Sequence, residues 1–583
     1  MMIIIGYFFL HFAIYSAFRV IFLVWNWPGL QSLTLSELIQ AFFTGARFDF
    51  AAIAATAGLC YLGLIWFSRP RFLKAIWMFF FWLLNILFFL VNLVDTELVN
   101  FTARRFARSA LFLVQEGSFS KLVAPYMGMS ILTILILVIY TYGIYRIAYL
   151  YQFKGGPIKK IMASVFTVIL SIVAFRGGLQ LKPMTYVDAR IFANPLANHL
   201  VMNSTFSFLK SLTKPRLDRI HYFSKEELIE NLNLPQPSRL HPSFEKLNIV
   251  IIVLESFSRE YTQLRDPEFT PYLNTLARQG KSFSNYYGNA RRSIEGIGAI
   301  LAGVPALMEE PFINSEFSAN EFLGLGTILS KVGYHTSFFH GTTNGSMHFD
   351  AFATSVGIQN YFGKSEYPHS GDDDGAWGIY DKPFLKWACE QISDFPQPFM
   401  STLFTLSSHP PFVLPEAELG KHPQGSHPVL QSIHYSDQAL EGFMSCASQR
   451  PWFERTLFII TADHAGPALD TKANFKSTFH LPLVLFSPNP KVLENLLTDQ
   501  YAQHIDLLPT ILDTISIPQV KVNYLARSLW QPGPKVIALY ADGVYDIVGD
   551  IKDADKQLKA IRQYFSEAMF DNRLYYPKGS STK

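Results

Sequence analysis

The sequence predicts a two-part protein, in which an N-terminal transmembrane domain of five helices precedes a large α/β domain. The 583 residues are enough for more than one domain. Hydrophobic residues make up 49% of the chain and charged residues only 16%, below the roughly 25% of an ordinary soluble protein. The apolar residues are concentrated in the first third of the chain. The net charge of +3 gives no support to nucleic-acid binding, so we expect no nucleic-acid partner.

Five apolar stretches predict the membrane helices. Each is about 17–24 residues long, which is enough to cross the hydrocarbon core as a helix. We assign residues 1–176 to this domain. The first stretch lacks a basic leader and a small-residue cleavage site, which favours a membrane helix over a signal peptide. The stretches lie at about 2–25, 50–67, 75–94, 125–145 and 159–175.

The remaining chain divides into a connector and the α/β domain. Residues 177–245 are mixed in polarity and contain six prolines, which predicts an amphipathic connector. From residue 246 to 583, short β-rich runs alternate with helical segments, as is typical of an α/β domain. Two β-rich runs at 536–540 and 545–548 predict a small terminal sheet.

Basic residues near the spans predict the orientation in the membrane. Five spans place the two ends of the chain on opposite sides. The short loops at 68–74 and 146–160 carry seven basic residues, which favours the cytoplasmic side and leaves the α/β domain outside. The opposing loop at 96–122 is also basic, so the difference in charge is small. The seven residues are Arg69, Arg71, Lys74, Arg146, Lys154, Lys159 and Lys160.

Three cysteines exclude a disulfide scaffold and a thiolate zinc site. Cys60 lies in an apolar run. Cys389 and Cys446 then form one pair or remain two free thiols, and the sequence leaves both open.

Two apolar runs in the α/β domain each end on an acidic residue. Residues 248–254 precede Glu255, and residues 456–462 precede Asp463 and His464. In an open parallel sheet the functional crevice lies beyond the carboxyl ends of the strands. Two carboxylates and one imidazole with an open position suit a divalent metal ion. A single acid after a strand is usually a solvated rim residue, whereas this combination predicts a metal site.

A serine between these runs opens a predicted helix. Ser293 follows a loop and precedes a stretch that contains Gly296 and Gly298. There, helix amides and a metal can stabilise an alkoxide and an incoming phosphoryl group. The plainer alternative is a serine that caps the helix, and the two roles are compatible.

Two histidines also follow predicted strands. His340 ends the strand-like run 334–339, and His409 follows the strand-like run 399–406. Both lie at the expected active edge of the sheet, where histidine serves proton transfer and ligation. A structural role is an equal alternative for each.

These residues together resemble the alkaline-phosphatase/sulfatase superfamily, and specifically the membrane-anchored lipoteichoic acid synthase-like phosphoglycerol transferases. The resemblance covers nearly the whole chain and rests on the combination and order of the motifs. In the helical part the motifs are 45–49, 95–97 and 176–180. In the α/β part they are 254–256, Arg292-Ser293, 339–341, Trp377-Gly378, 408–410, Asp463-His464 and 506–510.

The resemblance implies a sulfatase-like α/β fold with a single-metal site. The ligands would be Glu255, Ser293, Asp463 and His464, and the family favours Mn²⁺, with Zn²⁺ or Mg²⁺ as alternatives. Ser293 would also be the nucleophile, at a position where such enzymes typically carry Thr. Both residues supply a hydroxyl, so the chemistry is little changed.

The resemblance also implies the reaction and its partners. Ser293 would take a phosphoglycerol-type group from a phosphatidylglycerol-like lipid and pass it to a second hydroxyl in a ping-pong cycle. The acceptor would be a glycan, a glycolipid or a polymer. By position, His409 resembles the substrate-phosphate histidine and His340 a second pocket histidine, and Arg292 is expected to bind substrate. The protein would be a multi-pass protein of the bacterial cytoplasmic (inner) membrane with a periplasmic catalytic domain.

Two departures bear on the substrate. The family's Trp and Arg after the second histidine are missing, and the segment 344–349 stands there instead, which weakens the expectation of a glycerol-phosphate head group. A sulfatase needs a Cys or Ser converted to formylglycine, with Pro or Ala two residues on and Arg four residues on. After Ser293 these positions are Glu295 and Ile297, which argues against sulfate ester hydrolysis.

The alternatives within the same fold are a phosphoethanolamine transferase and a phosphodiester hydrolase. Phosphoethanolamine transferases usually carry several extracytoplasmic disulfides, which two cysteines cannot provide. A non-catalytic membrane protein is the alternative of a different class. A transporter predicts paired repeats with broken helices, and an inactive family member predicts a lost ligand. The sequence has neither feature.

Several aspartates have plainer interpretations. Asp49 and Asp95 lie at or near span ends, where a charge is costly unless it is paired or hydrated. We expect each to pair with Arg47 or Arg104 or to face a lipid head group. The run 372–374 predicts a solvated loop, with a cation or acceptor contact as the alternative.

Overall fold

The structure, a computed structural model, forms two compact units. The first comprises Met1–Lys214 with Asn314–Asn320, and the second comprises Pro215–Ile313 with Glu321–Lys583. The predicted domain limits at 176/177 and 245/246 stay predictions. The structure describes residues 2–67, 71–102, 105–107, 127–150, 155–192, 194–213, 217–232, 246–264, 266–469, 474–517, 523–531, 533 and 535–574.

The first unit consists of helices. A π-helical turn, Ala54–Gly58, joins α3 to the short helix α4. The helices are α1 (Met2–Trp25), α2 (Trp27–Leu30), α3 (Leu35–Ile53), α4 (Cys60–Trp66), α5 (Arg71–Thr102), α6 (Met127–Leu150), α7 (Pro157–Arg176), α8 (Pro195–Val201) and α9 (Ser204–Leu212).

Four helices in the described part of the chain are long and apolar enough to cross a membrane, so five spans stay a prediction. The fourth predicted stretch lies in α6, where the shorter apolar segment Ile134–Ala148 is found. The four candidates are Ile4–Trp25, Leu35–Gly58, Phe72–Val99 and Pro157–Arg176.

The second candidate span begins well before the predicted start at residue 50. Thr34 caps α3, because its hydroxyl accepts the Glu37 N–H while the Glu37 carboxylate accepts the Thr34 N–H. The helix then continues through Arg47 and Asp49. These two charged residues lower the local hydropathy, so the predicted apolar stretch begins only after them. Asp49 is buried and paired, so its charge does not end the span.

The two intramembrane aspartates pair with arginines other than the predicted ones. Asp49 binds Arg19 at 2.7 Å, and Asp95 binds Arg105 at 3.0 Å, with all four side chains buried. The expectation of pairing with Arg47 was wrong, because its guanidinium donates to the carbonyl of Gly177 instead. Arg104 lies outside the described residues.

These ion pairs hold the first part of the predicted connector against the helices. Arg19 donates to the carbonyls of Leu200 and Val201. The Asn203 amide donates to Asp49 at 2.8 Å, and the Ser204 hydroxyl donates to Asp95. Helices α8 and α9 therefore belong to the packed core of the first unit. Residues 233–245 of the connector lie outside the described part.

The orientation inferred from loop charges stays a prediction. Residues 68–70, 108–126 and 151–154 lie outside the described residues. They include Arg69 and Lys154 of the loops that favour the cytoplasmic side.

The second unit is built on a seven-stranded sheet, which confirms the predicted α/β architecture. The seven strands are β1 (Asn248–Leu254), β2 (Lys281–Ser282), β4 (His335–His340), β5 (Asn360–Phe362), β6 (Phe399–Phe404), β7 (Thr456–Ala462) and β8 (Leu483–Phe486). Their order in the sheet is β2-β8-β7-β1-β6-β4-β5. The five strands from β7 to β5 are parallel, β8 pairs antiparallel with β7, and β2 pairs antiparallel with β8.

Two smaller sheets and nine described helices complete the second unit. Strands β3 (Asn285–Tyr287) and β9 (Tyr501–Gln503) pair in parallel. Strands β10 (Val536–Ala541) and β11 (Val544–Gly549) pair antiparallel, which confirms the predicted terminal sheet. The helices are α10 (Lys225–Leu232), α11 (Pro271–Gln279), α12 (Ser293–Ala302), α13 (Leu325–Ser330), α14 (Phe349–Ser355), α15 (Asp381–Ser393), α16 (Val429–Ser448), α17 (Leu507–Thr514) and α18 (Ala554–Phe570).

A disulfide decides the question that the sequence left open. Cys389 of α15 is bonded to Cys446 of α16, and Cys60 is free. The bond joins two helices across 57 residues of sequence.

We expect Asp49→Ala to destabilise the helical unit strongly. The substitution leaves the Arg19 guanidinium buried without its counter-charge, which costs about 3–5 kcal/mol for a buried pair. Thermal unfolding of the purified protein in nanodiscs should therefore begin at a lower temperature. The double variant R19M/D49L should lose less than the two single variants together, because it leaves no unpaired charge. Equal stability of Asp49→Ala and the native protein would contradict this account.

Candidate active site and metal centre

The predicted metal ligands meet at the carboxyl edge of the main sheet. Strands β1 and β7 are parallel neighbours, with Leu254 opposite Ala462. The residues that follow, Glu255 and Asp463, therefore leave the sheet side by side. His464 follows directly, and Ser293 is the first residue of α12.

The four side chains lie within contact distance. Ser293 Oγ is 3.3 Å from Glu255 Oε2 and 3.4 Å from His464 Nε2. His464 Nε2 is 3.3 Å from Asp463 Oδ2 and 3.7 Å from Glu255 Oε1. The ligand atoms of the two carboxylates and the imidazole all lie within 4.8 Å of one another. The structure thus brings together all four residues that the sequence singled out.

The arrangement fits a divalent cation. Asp463 Oδ1 accepts the N–H groups of Ser256 at 2.9 Å and of His464 at 2.8 Å. Its other oxygen, Oδ2, is buried and has no hydrogen-bond partner in the described part of the chain. His464 Nδ1 lies 2.9 Å from the Ala465 carbonyl, which can only accept, so Nδ1 donates, and in the neutral imidazole the lone pair is on Nε2, which faces the carboxylates. One oxygen and one nitrogen are therefore left for a ligand.

Electrostatics favour the same conclusion. Burial raises the pKa of Glu255 well above its ordinary value, and the negative charge of Asp463 raises it further. Two carboxylates buried side by side repel each other unless a positive charge is shared between them. Glu255, Asp463 and His464 supply the donor set that suits a borderline divalent ion, with Ser293 as a fourth oxygen.

Local backbone features allow this close approach. An ideal Cβ at Gly296 would lie 2.3 Å from the Asp463 carbonyl oxygen, so only glycine lets α12 pack against the end of β7. Ser256 has a left-handed backbone (φ 57°), which turns the chain directly after Glu255. Its hydroxyl donates to Glu255 Oε1 at 2.7 Å and fixes that carboxylate.

Ser293 does not cap its helix. The N-cap residue is Arg292, and Glu295 closes the cap because its Oε2 accepts the N–H groups of Arg291 at 2.9 Å and Arg292 at 3.1 Å. Ser293 is left in the first turn of α12, where backbone amides and the helix dipole favour negative charge. The alternative of a serine N-cap was therefore wrong.

The loop after β6 holds the backbone of Glu255. Its N–H donates to Thr405 Oγ1 at 2.8 Å, and its carbonyl accepts the hydroxyl of Ser408 at 2.5 Å. The next residue of that loop is His409. Hydrogen bonds thus join the segment that carries the predicted metal ligand Glu255 to the loop that carries the predicted substrate histidine His409.

His409 lies against an indole ring. The ring centroids of His409 and Trp377 are 3.7 Å apart, and burial lowers the pKa of His409. His409 Nδ1 donates to the Pro410 carbonyl at 3.0 Å, and the Trp377 indole N–H donates to the same oxygen at 2.7 Å. Trp377 in turn is held by Asp374, whose Oδ1 accepts three successive backbone N–H groups. Within the run 372–374, Asp374 therefore orders a loop rather than facing solvent alone.

His340 is enclosed by aromatic rings. It stacks on Phe404 with centroids 4.4 Å apart and meets the edge of Phe349 at 5.6 Å. Burial lowers its pKa to about 4, and Asp463 and His409 are near enough for their charges to act on it. Nδ1 lies 3.3 Å from the Phe404 carbonyl and must donate, so Nε2 is a hydrogen-bond acceptor. This nitrogen is buried and makes no hydrogen bond within the described residues.

Arg292 is held by other protein groups. Its Nε donates to Glu295 Oε1 at 2.9 Å, and its terminal nitrogen donates to the Glu309 carbonyl at 2.8 Å. About half of the side chain is exposed. Its role in substrate binding stays a prediction, as do the roles of His340 and His409.

Sequence reasoning missed Asp381, which positions the loop that carries His409. Asp381 is fully buried at the start of α15. Its Oδ1 accepts the N–H groups of Leu406 at 2.7 Å and Ser407 at 3.1 Å, and its Oδ2 accepts the Ser436 hydroxyl at 2.6 Å. The sequence offers one clue to Asp381, which is its position four residues after Trp377 of the Trp377-Gly378 motif.

Sequence reasoning also missed His504, which joins the loop before Ser293 to the end of β7. Its Nδ1 accepts the Asn289 N–H at 3.1 Å, in the loop that leads to Ser293. Its Nε2 donates to the Ala462 carbonyl at 2.8 Å, directly before Asp463. Burial lowers the pKa of His504 to about 4, which keeps it in the neutral form that donates once and accepts once. Its position two residues before the 506–510 motif was the available clue.

Residues 247–517 match the protein-family model described as Sulfatase. The chain contains a sulfatase-family domain. The matched segment runs from the residue before β1 to just beyond α17, and it includes Glu255, Ser293, Asp463 and His464. In this segment Glu295 and Ile297 stand at the two positions after Ser293 where formylglycine formation needs Pro or Ala and Arg. The Glu295 carboxylate instead accepts backbone N–H groups in the N-terminal cap of α12.

The chain is similar to lipoteichoic acid synthases. Lipoteichoic acid synthase 1 of Bacillus subtilis (strain 168) is 28% identical over 352 residues, which are 54% of this chain and 54% of that protein. The chain spans about half the length of the curated relatives it matches.

Two solved structures share the fold of the sulfatase-family domain. A protein in the alkaline phosphatase superfamily from Vibrio parahaemolyticus is 21% identical with a TM-score of 0.53, over 61% of this chain and 98% of that one. The lipoteichoic acid synthase LtaP from Listeria monocytogenes is 14% identical with a TM-score of 0.50, over 60% and 98%. At these identities the likeness establishes the fold alone.

We expect Asp381→Asn to lower kcat/KM without unfolding the domain. The amide cannot replace both carboxylate oxygens as acceptors, so the loop that carries His409 should shift, and a misplacement of about 1 Å can cost up to about a hundredfold. Steady-state kinetics on the folded fraction measure this, and bound metal should be unchanged.

Asp437→Asn is the matched control for this variant. Asp437 is equally buried and accepts the N–H groups of Tyr272 and Leu273, which lie in the first turn of α11. It should lose stability but keep kcat/KM. If both variants lose kcat/KM to the same extent, Asp381 has no special part in positioning His409.

Proposed function

We propose that this protein is a metal-dependent transferase that moves a phosphoglycerol-type head group from a membrane phospholipid to an acceptor through Ser293. The observation that carries the proposal is the Ser293 hydroxyl in the first turn of α12, 3.3 Å from Glu255 and 3.4 Å from His464. A nucleophile adjoining a buried cation-binding cluster suits displacement at phosphorus. The names of the similar proteins, lipoteichoic acid synthases, support a lipid-linked glycerol phosphate as the group transferred.

The proposed cofactor is one Mn²⁺ ion, with Zn²⁺ or Mg²⁺ as alternatives, held by Glu255, Asp463, His464 and Ser293. Such an ion would supply Lewis acidity at the serine and phosphate oxygens. Two atoms support this assignment. They are Asp463 Oδ2, which has no hydrogen-bond partner in the described part of the chain, and His464 Nε2, which faces the carboxylates while Nδ1 donates to a carbonyl.

The first half-reaction joins Ser293 Oγ to the lipid phosphorus and breaks the phosphorus–oxygen bond to diacylglycerol. The serine proton leaves, and the departing diacylglycerol oxygen takes up one proton, so the step is balanced. Amides in the first turn of α12 stabilise negative charge that develops beside Ser293. In the second half-reaction an acceptor hydroxyl attacks the same phosphorus and loses its proton, the bond from phosphorus to Ser293 Oγ breaks, and Ser293 Oγ takes up one proton.

The two pocket histidines have separate tasks in this scheme. His409, at the exposed rim, contacts the phosphate. His340 Nε2 is an acceptor with no partner in the described part of the chain, so it suits a substrate hydroxyl, which donates, rather than a phosphate oxygen, which does not. A glycerol or sugar hydroxyl fits this requirement.

The helices and the disulfide support the proposed location. Membrane anchoring keeps the catalytic domain near its lipid donor and raises the effective donor concentration. The Cys389–Cys446 bond supports an oxidising compartment, since disulfides persist outside the cytosol. We therefore place the catalytic domain on the periplasmic side of a bacterial cytoplasmic (inner) membrane, with a phosphatidylglycerol-like donor and a glycan, glycolipid or polymer acceptor.

We expect Asp463→Asn to lose bound metal. The amide still offers one oxygen to the N–H groups of Ser256 and His464, but it removes the anionic oxygen that faces the cluster. Metal analysis of the purified protein should show a large fall in occupancy, with the fold retained by circular dichroism. Asp437→Asn should keep the native metal content. Full occupancy in Asp463→Asn would place the cation elsewhere.

We expect Ser293→Ala to abolish turnover of labelled phosphatidylglycerol, by at least about a thousandfold, because the covalent step loses its oxygen. Ser293→Thr, which keeps a hydroxyl, should retain activity. With acceptor withheld and a short quench, mass spectrometry should find a phosphoglycerol adduct on Ser293 in the native protein. Formylglycine at this position would instead support a sulfatase, and a different adduct mass would change the head group.

A further inference from the structure

The loop directly after His409 exposes apolar side chains at the rim of the site. We call residues 410–421 the rim loop. Val413 is 42% exposed and Leu419 is 65% exposed, and Pro410 and Pro411 are also exposed. Exposed apolar side chains are ordinary when they are scattered singly. Here they lie within eleven residues of a residue placed at the substrate.

The rim loop is fastened to the site rather than loose. The Pro410 carbonyl accepts both the Trp377 indole N–H and His409 Nδ1. The Phe412 N–H donates to the His409 carbonyl at 2.9 Å. Farther along, Glu418 forms an ion pair with Lys382 at 2.9 Å. Contacts near both ends of the loop therefore restrain its backbone, and those at its start join it to His409.

Phe412 has a strained backbone. Its φ of 63° lies in the left-handed region, which a bulky aromatic residue rarely adopts. Such residues cluster at ligand clamps, where the surrounding structure enforces the conformation. This left-handed residue turns the chain three residues after His409.

The composition of the rim loop suits a lipid interface. Three prolines, Pro410, Pro411 and Pro415, have no backbone N–H to leave unsatisfied in an apolar medium. The exposed charges, Glu416 and Lys421, are opposite in sign, and Glu418 is paired. The loop thus carries little net charge into the interface.

We propose that the rim loop inserts into the bilayer interface, where its apolar side chains contact the membrane that holds the long-chain lipid donor. This rests on the proposed function. The donor must place its phosphodiester at Ser293 while its acyl chains stay in apolar surroundings, because each exposed methylene is unfavourable in water. A bilayer is the occupant we assign, since the described part of the chain carries four helices long and apolar enough to cross one.

The test compares a membrane donor with a soluble donor that has the same head group. Full-length protein in vesicles is assayed with long-chain phosphatidylglycerol and with a short-chain, water-soluble analogue. The double variant V413S/L419S should lose at least about tenfold in kcat/KM for the long-chain donor, through KM. Turnover of the short-chain donor should stay within about twofold. The matched control V332S/L497S removes similarly exposed side chains, 51% and 58%, elsewhere in the same unit.

A second measurement does not depend on activity. A polarity-sensitive dye is attached at Val413→Cys, or at Leu497→Cys as control, in a Cys60→Ser background with vesicles that contain brominated lipid. Quenching at position 413 and not at 497 is the expected result. Equal water exposure at both positions, or an equal loss with both donors, would overturn the membrane assignment. Failure of the native protein to turn over either donor, with 413 still quenched, would overturn the transfer function alone.

Discussion

Two carboxylates buried side by side are the constraint on which the site depends. Parallel pairing of β1 with β7 makes Glu255 and Asp463 leave the sheet together, and the surrounding protein excludes water from both. Burial and mutual repulsion raise the pKa of Glu255, so the pair is unfavourable as two free anions. A shared cation would relieve this repulsion. The same desolvation would strengthen its interactions with the carboxylates, because electrostatic interactions strengthen where water is absent.

The rest of the domain serves to keep this unfavourable pair in place. Gly296 lets α12 approach the end of β7, and the neutral imidazole of His504 joins the backbone on either side of that contact. On the other side, Thr405 and Ser408 fix the backbone of Glu255. These bonds are made to backbone atoms, so the geometry of the site is set by main-chain positions that a ligand cannot easily shift.

The sequence was enough to predict which residues meet at the candidate site, because each of the two acidic residues follows the strand that positions it. Glu255, Asp463 and His464 were visible as polar residues at the ends of apolar runs, and Ser293 as the start of a helix. The residues that position these side chains and His409 could not be predicted. Asp381 and His504 act through hydrogen bonds to backbone groups that are distant in the sequence. The partners of Asp49 and Asp95 were missed for a related reason. Arg19 lies inside an apolar stretch, and pairing between helices leaves no local pattern.

The aromatic enclosure of His340 connects the departure in the sequence with the chemistry of the pocket. In the segment 344–349, where the family carries a Trp and an Arg, Phe349 packs against the imidazole, and Met347 and His348 adopt left-handed backbones. An arginine there would offer a phosphate a fixed positive charge. Burial among these rings instead helps keep His340 uncharged, and its Nε2 is an acceptor without a hydrogen-bond partner in the described part of the chain. Under the proposed function, selectivity at this end of the pocket would depend on a hydrogen bond donated by the substrate, because a substrate that lacks a hydroxyl there would leave this buried acceptor unsatisfied.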